Sequence, residues 1–366
     1  MSRKTNTCKF CELQSKESLC LKVPKGHGEE AIILSSKLKI INRELKVQRN
    51  IANIYIPLLR YPSESELEQI EQIPNFEIRY HVFIERKRQI ANFTEILNTI
   101  PAHLQNKLSK SIDFVGDIAI IGISRELKFY KNIIGEALLK THKNVGTVLL
   151  RASPISGTYR LRRLDVIAGE PKTHTVHKEY GCLYYVDLTK AYFSPRLAYE
   201  HNRIASLAKN GEVIVDLFSG IGPFAILIAK KHENVDVYAI DINPHAIAFL
   251  KKNIRLNKVE NRVHPMLGNA KYIIANRLSK VADRLIMNLP EQSMEFIDIA
   301  CMALKPTGGE VHFYAFVNAN NSIKRLEQRF IEAVEKRGKK AKVLSFRHVR
   351  ATAPYTWQIV LDAKIT

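Results

Sequence analysis

Asp216-Leu-Phe-Ser-Gly-Ile-Gly-Pro-Phe224 is the stretch on which the fold turns. It follows the apolar run VIV and opens the apolar helical stretch AILIAKK. Gly220 and Gly222 let the backbone approach a ligand closely, at the positive end of that helix. The next strand ends in Ile240-Asp241-Ile-Asn-Pro244, and an acidic residue at a second strand's end can hold a ribose diol. From about Tyr192 onward, strands and helices alternate. VIVDLF, VDVYAIDIN, HPMLG, RLIMNLP and GEVHFYAFV read as strands. AILIAKK, PHAIAFLKKNIRLN, NAKYIIANRL and EFIDIACMAL read as the helices between them. This predicts an α/β, Rossmann-like domain over residues 176–366, with a mainly parallel sheet and helices on both faces.

The chain upstream is organised differently. Residues 1–62 read as a small basic domain with a polar extension over 1–20 and a helix near Gly28–Leu38. The first 60 residues hold 12 Lys or Arg against 5 Asp or Glu. YPSESE marks a linker over residues 63–74. Residues 75–175 read as a mixed α+β domain. FEIRYHVFIE alternates and predicts a strand. IANFTEILNTI, LQNKLSKSI and RELKFYKNIIGEALLKTH predict helices, the last of about 18 residues. VGDIAIIGI, VGTVLLRAS, GTYRLRRLDVIAGE and, just past the boundary, CLYYVDLT predict strands.

At 366 residues the chain is long enough for two to three domains of about 150 residues each. Apolar residues at 46% and charged residues at 25% supply a core and exclude wholesale disorder. Lys and Arg total 56 against 36 Asp and Glu, a net charge of +20. That excess points to a polyanionic partner, nucleic acid first and an anionic membrane surface second. No apolar run approaches 18 residues, which excludes a spanning helix, and MSRKTNTCKFCELQSKES has no signal-peptide core. Five Cys, an odd number, do not make a disulfide framework and predict a reducing, cytoplasmic setting. Cys8, Cys11, Cys20 and His27 could offer four zinc ligands, but the spacing is loose and no second C-x-x-C follows. Solvent thiols in a flexible tail are the plainer reading, and no metal is expected. Cys182 and Cys301 read as core residues.

The loop at Asp216 lacks a third Gly at the dinucleotide spacing and has Pro223 after the second. This form resembles the loop of class I S-adenosylmethionine-dependent methyltransferases. On that resemblance Asp216 faces the methionine end of the cofactor, within a loop of Phe218, Gly220, Gly222 and Pro223. Asp241, Ile242 and Asn243 lie at the ribose. Asn269 and Ala270 lie near the adenine, where the class usually carries an Asp in place of Asn269. The fourth strand ends in Met287-Asn-Leu-Pro290, a rigid loop whose Asn288 and Pro290 aim at the same pocket. It has no aromatic residue after the Pro, which argues against chemistry on an exocyclic amine.

Ala191-Tyr-Phe-Ser-Pro-Arg-Leu-Ala-Tyr-Glu200, MNLP and GTYRLRRLDVIAGE together resemble the archaeal and eukaryotic tRNA (guanine-37 N1)-methyltransferases. The likeness runs from about Cys20 to near the C-terminus. It implies methyl transfer from S-adenosylmethionine to N1 of guanosine 37 in the tRNA anticodon loop. N1 carries a weakly acidic proton, so the chemistry needs a base and a cation to hold charge on O6. By motif position Glu200 is the base, Arg160 holds O6, and Asn288 orients the extruded guanine. Tyr192, Phe193 and Pro290 shape the cofactor and base pocket, and Arg196 orders the loop or holds a phosphate. Arg162 and Arg163 suit phosphate contact. His201 stands where archaeal relatives often have Arg, and it can titrate near neutrality. The resemblance also assigns the N-terminal domain to the tRNA outer corner, and implies a monomer with no membrane partner.

Three rivals stay open at this level. One is a wyosine-pathway relative, either methylating the tricyclic intermediate as well or transferring an aminocarboxypropyl group. A second is a methyltransferase for another RNA. The third is a non-catalytic RNA-binding protein, against which the intact loop, Glu200 and Asn288 all speak.

Overall fold

The computed structural model describes residues 15–84, 100–108, 111–318, 322–353 and 355–366. The chain divides into two units, Met1–Glu95 and Ile96–Thr366.

In the first unit, β1 (Ser15–Pro24), β2 (Gln48–Arg49), β3 (Asn53–Pro57) and β4 (Glu77–Ile84) form one sheet in the order β2-β3-β1-β4. Leu21, Val23, Ile56 and Ile70 are fully buried in its core with Ala31 of the helix Gly28–Lys37. At Gly28, at the start of that helix, a Cβ would lie 2.0 Å from Ile54 Cδ1, so a larger residue there would require Ile54 to shift. Three expectations change here. Residues 63–74 are not a linker: Ser63 and Glu66 make a capping box that opens the helix Glu64–Ile70. FEIRYHVFIE is a strand as expected, but it belongs to this unit, since β4 pairs antiparallel with β1 from Ser15↔Ile84 to Lys22↔Glu77. The polar extension ends before residue 20, because Ser15 already begins β1. Cys20 is fully buried beside Phe83, and burial raises its thiol pKa, so it is a core residue. Cys8 and Cys11 lie outside the described residues.

The second unit begins with β5 (Ile112–Val115), β6 (Ile118–Ile121), β7 (Thr147–Arg151) and β8 (Leu164–Gly169), paired in that order. β6 and β7 are parallel, which requires a crossover. RELKFYKNIIGEALLKTH supplies it as two pieces, a 3-10 turn at Arg125–Tyr130 and a helix at Lys131–Thr141. LQNKLSKSI is not one helix: among its described residues the helix Ala102–Gln105 covers only the first two, and Ile112 already pairs in β5. IANFTEILNTI lies almost wholly outside the described residues. GTYRLRRLDVIAGE is a strand only from Leu164. Before it, Gly157 and Arg160 take φ of 72° and 55°, and Ser156 and Leu161 close a loop between them. β9 (His174–Glu179) and β10 (Cys182–Asp187) form a hairpin.

The methyltransferase-like sheet then follows. β11 (Val213–Asp216), β12 (Asp236–Asp241), β13 (Val263–Leu267), β14 (Arg284–Met287) and β15 (Gly309–Asn318) are parallel. A C-terminal hairpin that the sequence pattern did not reveal, β16 (Ala341–Ala353) and β17 (Thr356–Ile365), adds antiparallel to β15. The order is β13-β12-β11-β14-β15-β17-β16, so the direction of winding reverses between β11 and β14. In open α/β sheets the ligand crevice lies at such a reversal, beyond the strands' carboxyl ends. One core joins Val115, Ile118 and Leu149 to Tyr184 of the hairpin and to Ile214 and Val237 of the large sheet. Residue 175 is therefore not a break in packing. Among the described residues, no helix is long and apolar enough to cross a membrane.

Arg284 is only 1% exposed and donates to Glu212, Glu310, His312 Nε2 and the Leu207 carbonyl. Arg284→Ala strands those partners, and is expected to cost about 3–5 kcal/mol of stability in urea unfolding. A loss within about 0.5 kcal/mol, as at an ordinary surface site, would contradict this account of the sheet.

Candidate active site

The loop after β11 is shaped by its glycines. Gly220 and Gly222 have φ of 54° and 91°. Gly222 N-caps the helix Pro223–Lys231, with Pro223 at its first turn. Asp241, at the end of β12, accepts from the Gly220 N–H at 2.7 Å and the Asn243 N–H at 2.8 Å. Asn243 in turn caps the helix Pro244–Asn257 and donates to the Lys190 carbonyl. Asn269 caps the helix Ala270–Arg277 through the Lys271 N–H. These contacts fix three strand ends around one cavity of about 600 Å³. Phe218 meets Phe296 edge to face at 4.9 Å in its wall.

Two buried polar atoms of this loop have no partner: Asp216 Oδ2 and Ser219 Oγ. Buried polar groups are nearly always satisfied, so orphans at one loop suit a ligand with a polar, cationic end. Burial, with the Asp241 charge beside it, raises the Asp216 carboxyl pKa to about 7.

The opposite wall comes from three segments. Arg160 projects from the Gly157–Leu161 loop, donates to Glu291 at 2.7 Å, and lies 5.7 Å from the Tyr192 ring centre. Tyr192 Oη accepts from Arg350, and Asn288 Oδ1 accepts from Gln358 at 3.2 Å. His201 lines the cavity too; it is 1% exposed, bonded to Glu179 at 2.7 Å and set edge-on to Phe224.

The cavity brings together most of the residues singled out in the sequence. Arg160, Tyr192, Phe193, Phe218, Gly220, Pro223, Asp241, Ile242, Asn243, Asn269, Ala270, Asn288 and Pro290 all line it. Four do not. Asp216 lies beneath the loop, fully buried. Gly222 serves packing: a Cβ there would come within 2.3 Å of Leu250 Cδ1. Arg196 turns to Asp113 and Ser111 instead. Glu200 is 3% exposed and held by three donors: Arg203 through Nε and Nη2, and the Tyr314 hydroxyl at 2.7 Å. The sequence reading missed Glu291, Phe296, Phe316, Arg350 and Gln358. Glu291 follows MNLP directly and was open to inspection; Arg350 and Gln358 sit on the hairpin that went unrecognised.

Known proteins resemble this chain along most of its length. The model of the TRM5/TYW2 methyltransferase domain matches residues 175–344, and that of the TYW2 N-terminal domain matches residues 93–173. The tRNA (guanine(37)-N(1))-methyltransferase Trm5b of Pyrococcus abyssi is 39% identical over 355 residues, covering 95% of this chain and 99% of the relative. The chain belongs to the TRM5/TYW2 methyltransferase family. Among solved members, the complex of aTrm5 with tRNALeu is 34% identical with a TM-score of 0.67, covering 95% of this chain and 100% of that one. M. jannaschii TYW2 in complex with AdoMet is 30% identical with a TM-score of 0.55, covering 70% of this chain and 99% of that one.

The raised Asp216 pKa has a consequence for stability. Between its ordinary 3.8 and about 7 the folded protein holds a proton that the unfolded chain has lost. The stability that Asp216 contributes therefore falls as pH rises from about 4 to about 7. Asp216→Asn should remove that fall and stabilise the ligand-free protein above neutrality by a few kcal/mol, with no gain below pH 4. Urea midpoints across that range test this; parallel pH curves for the two proteins would refute it.

Proposed function

We propose that this family member transfers a methyl group from S-adenosylmethionine to N1 of guanosine 37 in tRNA. The observation that carries the choice is coverage. Two archaeal guanine-37 N1 relatives, from Pyrococcus abyssi and Methanocaldococcus jannaschii, align along 95% of the chain, whereas the TYW2 chain of M. jannaschii aligns with 70% of it. The net charge of +20 supports a tRNA substrate. Free, buried Cys20, Cys182 and Cys301 support a cytosolic setting, and action as a monomer is proposed with it. The first unit is proposed to read the tRNA outer corner.

S-adenosylmethionine, when bound, supplies an electrophilic methyl on a sulfonium. Phe218, Phe296, Asp241 and Asn269 would hold its nucleoside end, and Ser219 its amino-acid end, with buried Asp216 beneath the same loop. Arg160 donates to guanine O6 as negative charge moves there. The Asn288 amide, steadied by Gln358, orients the base. Glu200 takes the N1 proton after its side chain leaves the Arg203 fork. Arg203 keeps a counter-charge in that state, because it also donates to Asp362 at 2.7 Å.

A second reading rests on Glu291. Unlike Glu200 it lines the cavity, already paired with Arg160. Such a donor–acceptor pair matches the O6 and N1–H edge of guanine, so Glu291 could take the proton directly.

Single-turnover methylation of a G37 transcript, read as 1-methylguanosine by mass spectrometry, separates the two. Glu200→Gln is expected to slow the chemical step by about 10²–10⁴-fold, with cofactor affinity kept, and Glu291→Gln to slow it far less. The reverse ranking would transfer the base role to Glu291. Product on a wyosine-precursor tRNA, but none on the G37 transcript, would overturn the assignment of substrate.

A further inference from the structure

A second cavity of about 370 Å³ adjoins the first and shares Arg160, Tyr192, Glu291 and Arg350 with it. Five guanidiniums converge on it, from Arg151, Arg160, Arg162, Arg196 and Arg350, against the carboxylates of Asp113 and Glu291 alone. They come from separate places: β7, the loop and turn before β8, the 3-10 turn Pro195–Leu197, and β16. Both carboxylates are already engaged. Asp113 accepts from Arg151 and Arg196, and Glu291 accepts from Arg160. Arg350 is held by neutral groups, the Gln358 carbonyl and the Ser194 and Tyr192 hydroxyls. Arg162 has no carboxylate partner among the described residues. Burial, then the Arg151 charge, pushes its guanidinium below its ordinary pKa.

Half-buried cations in such excess are costly unless an anion completes the site. A guanidinium fork matches two oxygens of a phosphate, which a point charge does not. The shared wall places this anion site beside the base pocket. We propose that the cavity binds the backbone phosphates flanking the extruded guanosine, with Arg162 and Arg350 as the guanidiniums that receive them. This rests on the proposed RNA substrate. It adds to it a phosphodiester site with its own residues, independent of which base atom is methylated.

The test is equilibrium binding of the full chain to a G37 tRNA transcript between about 50 and 200 mM salt. Arg162→Ala should weaken tRNA binding and flatten the log–log salt slope by about 0.7 for each phosphate the protein no longer neutralises, with S-adenosylmethionine affinity by calorimetry unchanged. Arg162→Lys, which keeps the charge but not the fork, should recover the slope only in part. A neutral methylphosphonate at the linkage on either side of nucleotide 37 should weaken wild-type binding, and one of the two should weaken Arg162→Ala no further. An unchanged slope, or full additivity of variant and methylphosphonate at both linkages, would overturn the site. If the wild type binds the transcript with a steep slope yet methylates no guanosine, the substrate reading fails while the slope comparison still decides the phosphate site.

Discussion

A line of buried charges through the large sheet sets the position of everything around it. Asp362 on β17 accepts from Arg203 of the helix Ala198–Leu207, from Ser345 of β16 and from His312 of β15. Arg284 of β14 donates to His312 Nε2. Arg284 can only donate, so Nε2 must accept and Nδ1 must carry the proton given to Asp362 at 2.6 Å. Burial lowers the His312 pKa and keeps the ring neutral. Burial alone would raise the Asp362 pKa, but His312 and Arg203 hold it well below the usual carboxylate range. Removing one member of such a line costs more than the line contributes as a whole. Its effect is to fix which residue of each strand faces which. The C-terminal hairpin is thereby locked in register, and with it Gln358 behind Asn288 and Arg350 against Tyr192.

How much of this was legible in the sequence depended on whether a local signal survived. The loop at Asp216 was legible because its glycines mark left-handed backbone and a helix N-terminus at once. The helix Glu64–Ile70 was equally legible in principle. Ser63 and Glu66 are a capping box, but the surrounding YPSESE has the composition of a loop, and composition was given the greater weight. The hairpin β16–β17 left almost no trace. Its register shifts between Val343 and Ser345, between His348 and Arg350, and between Ala351 and Ala353. Each shift breaks the two-residue alternation by which a strand is read. Arg350 and Gln358 were lost with it.

The segment before the helix Ala198–Leu207 shows a different limit. AYFSPRLAYE locates a helix start but not the face that each residue takes. In the helix Ala198–Leu207, both Glu200 and His201 are buried, yet only His201 lines the cavity. Neighbouring residues in a helix point about 100° apart, so adjacency in a motif says little about adjacency in a site. Arg160 is the converse case. It was expected on a strand and lies instead in a loop with left-handed backbone, yet it still faces the pocket.

The placement of Glu200 keeps it apart from the arginines of the cavity wall. A carboxylate exposed in the pocket beside five arginines would form a tight pair with one of them, as Glu291 does with Arg160 and Asp113 with Arg151 and Arg196. Glu200 avoids those arginines by lying behind the wall. Its ion-pair partner among the described residues, Arg203, is shared with Asp362. The arrangement separates two electrostatic environments: a cavity with an excess of positive charge, and a buried carboxylate whose cation is shared with a second carboxylate.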